Sequence, residues 1–99
     1  MYQEKLLPLG SVVLLTESNK RVMIVGRLQR QQSTGKIWDY SACFYPEGII
    51  NPNELFLFNH SQIAVIYFIG FQDREGVEFQ EVLEKKRSEL RAVESDVAP

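Results

Sequence analysis

Up to residue 71 the chain alternates short runs of β-branched and aromatic residues with polar turns. Ser11-Val12-Val13-Leu14-Leu15, entered through Pro8 and Gly10, predicts a first strand. Glu17-Ser18-Asn19-Lys20 supplies a polar turn, and Arg21-Val22-Met23-Ile24-Val25-Gly26-Arg27 predicts a second strand. So few residues separate the two that an antiparallel hairpin is expected. A polar loop over 29–35 leads to a third strand over 36–45. Its alternation sets Trp38, Tyr40, Ala42 and Phe44 against Ile37, Asp39, Ser41 and Cys43, and the more apolar first set is expected to face the core. Pro46, which lacks an N–H, and Gly48, free to take a positive φ, end that strand.

Asn51-Pro52-Asn53-Glu54 is a second turn, Leu55-Phe56-Leu57-Phe58 a short strand, and Asn59-His60-Ser61-Gln62 a single capped turn. The run 63–71, Ile-Ala-Val-Ile-Tyr-Phe-Ile-Gly-Phe, is the most apolar segment and predicts a central strand. After the polar connection Gln72-Asp73-Arg74-Glu75-Gly76 the period changes. Phe79, Val82, Leu83, Lys86, Leu90 and Val93 recur at helical intervals, with Glu78, Glu81, Glu84, Lys85, Arg87, Glu89 and Arg91 on the other faces. That predicts an amphipathic helix over 77–93 and a frayed tail over 94–99. Asp73 and Glu75 fall where acids favour the helix dipole. The expected fold is α+β, mainly β: an SH3-like five-stranded antiparallel barrel or bent sheet over 7–71 plus one C-terminal helix, all in a single domain of 99 residues.

Composition narrows the function more than it identifies it. A net charge of −2 gives no electrostatic reason to expect nucleic acid or an anionic membrane as partner. A single cysteine, Cys43, excludes an intramolecular disulfide. The N-terminal residues lack a signal-peptide pattern, and the run 63–71 is far short of the roughly 20 residues a membrane-spanning helix needs. A cytoplasmic protein with no membrane contact is expected.

The chemistry of the chain points away from catalysis. His60 is the only histidine and nothing near it in sequence suggests a catalytic triad, so it is expected at the surface or in a cap. No basic residue adjoins Cys43 to activate it. His, Cys and carboxylates show no metal-ligand spacing, and no glycine-rich phosphate loop exists. No enzyme, no cofactor and no metal are therefore expected. Lys20, Arg21, Arg27, Arg30 and Lys36, beside Trp38 and Tyr40, keep a nucleic-acid-binding barrel as an alternative. The helix stripe would serve packing on the sheet, a partner helix, or a homodimer through the C-terminal helix.

The segments Leu7-Pro8-Leu9-Gly10-Ser11-Val12-Val13-Leu14-Leu15, Val22-Met23-Ile24-Val25-Gly26-Arg27, Asp39-Tyr40-Ser41-Ala42-Cys43-Phe44-Tyr45-Pro46-Glu47-Gly48, Phe58-Asn59-His60 and Phe68-Ile69-Gly70-Phe71 form an ordered set. In that set the chain resembles the domain of unknown function 4176 family, small proteins of low-GC Gram-positive bacteria. Position 42 departs from the family pattern, which often has Gly there. The resemblance implies a companion of type VII secretion clusters, encoded near toxins with an LXG domain. It further implies an adaptor or chaperone that binds such a toxin or a small helical secretion partner, with an immunity protein as a third reading. No catalytic residue comes with the resemblance. The matching positions Asp39, Tyr40, Tyr45, Glu47, Asn59 and His60, with Phe79, Leu83 and Leu90 of the helix, are the candidate contact residues. Asp39 and Glu47 stand out because a hydrophobic core explains neither.

Overall fold

The computed structural model describes residues 5–97, with side chains described as far as Arg91. Five strands form one antiparallel sheet: β1 (Val12–Leu15), β2 (Arg21–Arg30), β3 (Ile37–Phe44), β4 (Phe56–Phe58) and β5 (Ile63–Phe68). A 3-10 turn, His60–Gln62, joins β4 to β5, and one helix, α1 (Arg74–Val97), follows. The β1–β2 hairpin forms as expected, with Val13 opposite Val22. The strand order is β4-β3-β2-β1-β5, so β4 and β5 lie at opposite edges and the sheet is open and bent, not a closed barrel. Register shifts between β1 and β5 and between β2 and β3 supply irregularities of the kind that bend a sheet.

The core is built on β1, β2 and β3. Val13, Val22, Ile24, Tyr40, Ala42 and Phe58 are buried with Leu6, and Leu83 of α1 packs against them. The rings of Tyr40 and Phe58 lie 5.2 Å apart, centroid to centroid, within the range for a favourable aromatic pair.

The expected one-sided β3 is corrected. Asp39, Ser41 and Cys43 are buried as fully as Tyr40 and Ala42, while Trp38 is only half-buried and Phe44 reaches the surface. The strand lies between β2 and β4 in the sheet, and α1 brings arginines down onto Asp39, so both of its residue sets are covered.

A second correction concerns β5. The most apolar segment is not central but an edge strand, and its neighbours Ile66 and Tyr67 are 45% and 53% exposed. Hydrophobicity alone placed it inside; the pairing order places it outside.

Two segments far apart in sequence are tied by a small-residue contact. Ser11 Oγ donates to Pro8 O (2.8 Å) and accepts from Gly70 N–H (3.0 Å). A Cβ at position 70 would run into the Leu9 carbonyl, so only glycine allows this approach. The segments 7–11 and 68–71 are thus one structural unit. Gly48, at φ +83°, makes the reversal expected after Pro46.

The helix starts earlier and ends later than its apolar period indicates, running from Arg74 through residues expected as a tail. Asp73 caps it, accepting from Gly76 N–H at 2.8 Å. Val93, the last member of the expected stripe, lies outside the residues with described side chains, and the final two residues of the tail lie outside the described residues altogether.

Candidate functional site

The helix meets the sheet through charge. Gln80, Glu84, Arg87 and Arg91 recur at spacings of four, three and four residues, which puts them on one face of α1. That face turns inward: Gln80 and Arg87 are buried, and Arg91 is half-buried. Arg87 grips Asp39 with a two-pronged contact, Nε to Oδ1 at 3.1 Å and Nη2 to Oδ2 at 3.2 Å. Arg91 Nη2 adds 2.8 Å to Oδ1, and the His60 N–H donates to Oδ2 at 2.9 Å. The Asp39 side chain is 4% exposed and that of Arg87 8%. Burial pushes the Asp39 carboxyl up, but the His60 N–H, Arg91 and Arg87 outweigh it and hold the group below its ordinary value.

The seam continues on both sides. Asn59 Oδ1 accepts from the Asp39 N–H (3.1 Å) and from Arg91 (3.0 Å). Tyr40 Oη accepts the Leu7 N–H at 2.8 Å and lies 2.6 Å from His60 Nδ1. The imidazole tautomer sets which of the two donates. Burial, above all, raises the Tyr40 pKa, so the phenol stays neutral. Glu84 accepts from the Leu6 N–H (2.6 Å) and from Gln80, and Gln80 accepts from Arg27 at 2.9 Å. Among the described residues no buried side-chain polar atom lacks a partner. A closed seam of this kind fixes the position of the helix and the N-terminal segment.

The expected contact residues therefore separate. Asp39, Tyr40, Asn59 and His60 come together inside this seam, and His60 is cap-associated as expected, at the start of the 3-10 turn. Leu83 packs on the core and Leu90 is half-buried. Tyr45, Glu47 and Phe79 are exposed. Glu47 pairs with Lys20 at 2.8 Å, and Arg21 stacks between Tyr45 and Tyr67 at 5.3 and 5.4 Å from the ring centres. Gln80, Glu84, Arg87 and Arg91 were missed. The signal that would have found them is a polar stripe at helical spacing, opposite a strand that carries one unexplained acid.

Docking by the polar face rotates the apolar stripe outward. At about 100° per residue, Gln80 and Arg87 sit roughly a quarter turn from the axis of the Phe79–Leu83–Leu90 stripe. Leu83 and Leu90 stay at the border, while Phe79 and Val82 are 53% and 61% exposed. Arg27 lies over the Phe79 ring at 5.9 Å.

A family profile for a domain of unknown function (DUF4176) matches residues 6–79. The chain belongs to the DUF4176 family. Comparison with curated proteins and with solved structures found no match. The DUF4176 match takes in all five strands, the Ser11–Gly70 contact and the sheet side of the seam, and it reaches Phe79 in the second turn of α1. Arg87 and Arg91 lie beyond it.

The basic residues of the DUF4176 chain are largely engaged. Lys36 sits 4.0 Å above the Trp38 ring, Arg30 donates to Gly35 O at 3.0 Å, and Lys20, Arg21 and Arg27 have the partners given above. Trp38 also donates from Nε1 to Gln31 at 3.1 Å. Among the described residues no group of three or more His, Cys, Asp or Glu is placed to hold a metal ion. Among the described residues no helix is long and apolar enough to cross a membrane.

Proposed function

We propose that this DUF4176 chain is a non-enzymatic accessory protein that binds another protein, as an adaptor or chaperone for a type VII secreted LXG toxin. The observation that carries the reading is the rotated helix. α1 spends its polar face on the sheet and turns Phe79 and Val82 to solvent, which suits the apolar face of a partner helix. The secretion context comes from the family resemblance and supports the choice of partner. The internal use of Asp39, Tyr40 and His60, each already hydrogen-bonded within the fold, argues for a structural seam and against a catalytic one.

The test is co-expression with the LXG toxin encoded beside the gene, followed by affinity capture. Wild type retains the toxin, and Phe79→Asp with Val82→Asp releases it while the circular dichroism spectrum stays unchanged. A monodisperse, unbound wild-type protein in the presence of every adjacent LXG toxin overturns the reading. Rescue of cells from the toxin's activity, with no effect on its export, assigns an immunity role instead.

A further inference from the structure

Three separate segments bring Arg21, Tyr45 and Tyr67 together on a second surface. Arg21 opens β2, and the Tyr45 N–H, just past β3, donates to the Arg21 carbonyl at 3.0 Å. Tyr67 arrives through a break in register. Val12 faces Phe68 and Val13 faces Ile66, so Tyr67 is the extra residue of a bulge on β5. Bulges re-aim side chains, and here the Tyr67 and Tyr45 rings both come to lie against the Arg21 guanidinium. The three residues border a groove of about 520 Å3 that is also lined by Val12, Met23 and Phe68. Val12 and Met23 are opposite each other in the β1–β2 register and alternate with the core residues Val13, Val22 and Ile24. The groove therefore lies on the sheet face turned away from the core.

We propose that this groove binds an acidic peptide segment of a partner protein. The carboxylate of an Asp or Glu pairs with Arg21, and a neighbouring apolar side chain lies on Val12, Met23 and Phe68. Charge fixes the occupant. Arg21 is the one charged residue lining the groove, and among the described residues it has no carboxylate partner and donates no side-chain hydrogen bond. The guanidinium N–H groups form a planar fork that matches the two oxygens of a carboxylate, and ring contact supplies them no acceptor oxygen. The rings instead hold the long side chain in place, which lowers the ordering cost of binding. A phosphate carries more charge than one arginine balances. Lys20, next in sequence, does not make up the difference, because Glu47 holds it at 2.8 Å. Beside the charge, Tyr67 and Phe68 are more than half exposed, so apolar contact is available as well. The groove shares no residue with the Phe79 and Val82 surface of α1 and stands independently of the adaptor reading.

Selection of a random-peptide display library on the immobilised full chain tests the proposal without knowledge of the partner. The enriched peptides are expected to share an Asp or Glu beside an apolar residue. With synthetic copies of them, replacing the acid by its amide weakens binding at least about tenfold in fluorescence anisotropy. Arg21→Gln has the same effect, and Arg21→Lys, which keeps the charge and loses the fork, restores little of it. Phe79→Asp leaves the affinity unchanged. Arg21 is exposed, so its variants should keep the wild-type circular dichroism spectrum. Titration of the peptide into the wild type gives a reading that needs no variant: amide shifts concentrate at residues 21–23, 45 and 67–68. Failure to enrich any acidic peptide overturns the proposal. So do peptides that bind Arg21→Gln as tightly as wild type, or that Phe79→Asp releases. Displacement by inorganic phosphate at a concentration where acetate has no effect overturns the choice of a carboxylate.

Discussion

Asp39 and Ile66 occupy environments opposite to their chemistry. The carboxylate is almost wholly enclosed, held by two arginines of α1 and one backbone N–H, while the isoleucine stands 45% exposed on the sheet edge. The seam and the edge strand are inversions of the usual rule that charge faces water and apolar groups face the interior. They differ in what satisfies them. Every described polar atom of the seam has its partner within the chain, so the charge is self-sufficient. In β5, Ile63 packs against the core and Arg21 lies over the Tyr67 ring, but Val65, Ile66 and Phe68 stay 42%, 45% and 59% exposed. The first inversion is a structural device, and the second is a surface that something else can complete.

Breaking the seam should be the costlier experiment. Asp39→Ala takes the two-pronged partner from the buried Arg87, whose Nη1 keeps a 3.4 Å contact to Glu84, and removal of one member of a buried pair costs about 3–5 kcal/mol. Urea unfolding should show a much lower midpoint with an unchanged slope. The same carboxyl gives a pH signature. Its folded pKa lies below the ordinary 3.8, so its stabilisation is complete above that value and is lost as pH falls through the lower folded value. The acid limb of the wild-type stability curve should therefore flatten in Asp39→Ala. An Asp39→Ala protein as stable as wild type would make the arginine grip incidental.

The next effect belongs to the tie between the segment before β1 and the segment after β5. Gly70→Ala forces a Cβ toward the Leu9 carbonyl, a backbone atom that cannot swing away, and overpacking of this kind costs about 1–3 kcal/mol. Gly35 makes the control, since a Cβ there meets nothing within 4 Å. Gly35→Ala carries instead the strain of φ +76°, about 1 kcal/mol, which Gly70 does not have, so a loss at position 70 reports the close approach itself. A Gly70→Ala midpoint equal to that of wild type would remove the steric account.

How much of this was legible follows from the range of the forces involved. Strands and turns are local, and the existence of β3, the Pro46–Gly48 reversal and the β1–β2 hairpin were readable from neighbours in sequence. Strand order is not local. The run 63–71 looks central by composition, and only its pairing with β1, some fifty residues earlier, makes it an edge. The helix was visible as a period, but its rotation was not. Asp39 was flagged because no core explained it, and its explanation lay in Arg87 and Arg91, 48 and 52 residues away. Those arginines looked like an ordinary solvated face because a polar stripe and a buried polar stripe share the same spacing.

The smallest effect on stability should come from the most exposed aromatic. Phe71, 81% exposed just beyond β5, already pays the cost of hydration in the folded state. Replacing it removes little that folding had gained, and substitutions at such sites stay within about 0.5 kcal/mol. Phe71→Ser should leave the urea midpoint almost unmoved, although a core ring such as Phe58, 1% exposed, would cost about 3–5 kcal/mol on truncation to alanine. The two rings differ in stability cost because one is covered by the chain and the other is not. If Phe71→Ser instead destabilised the protein as a core change does, and did so more at high protein concentration than at low, the ring would be buried in an assembly. The uncovered side of the comparison would then be a property of the single chain alone.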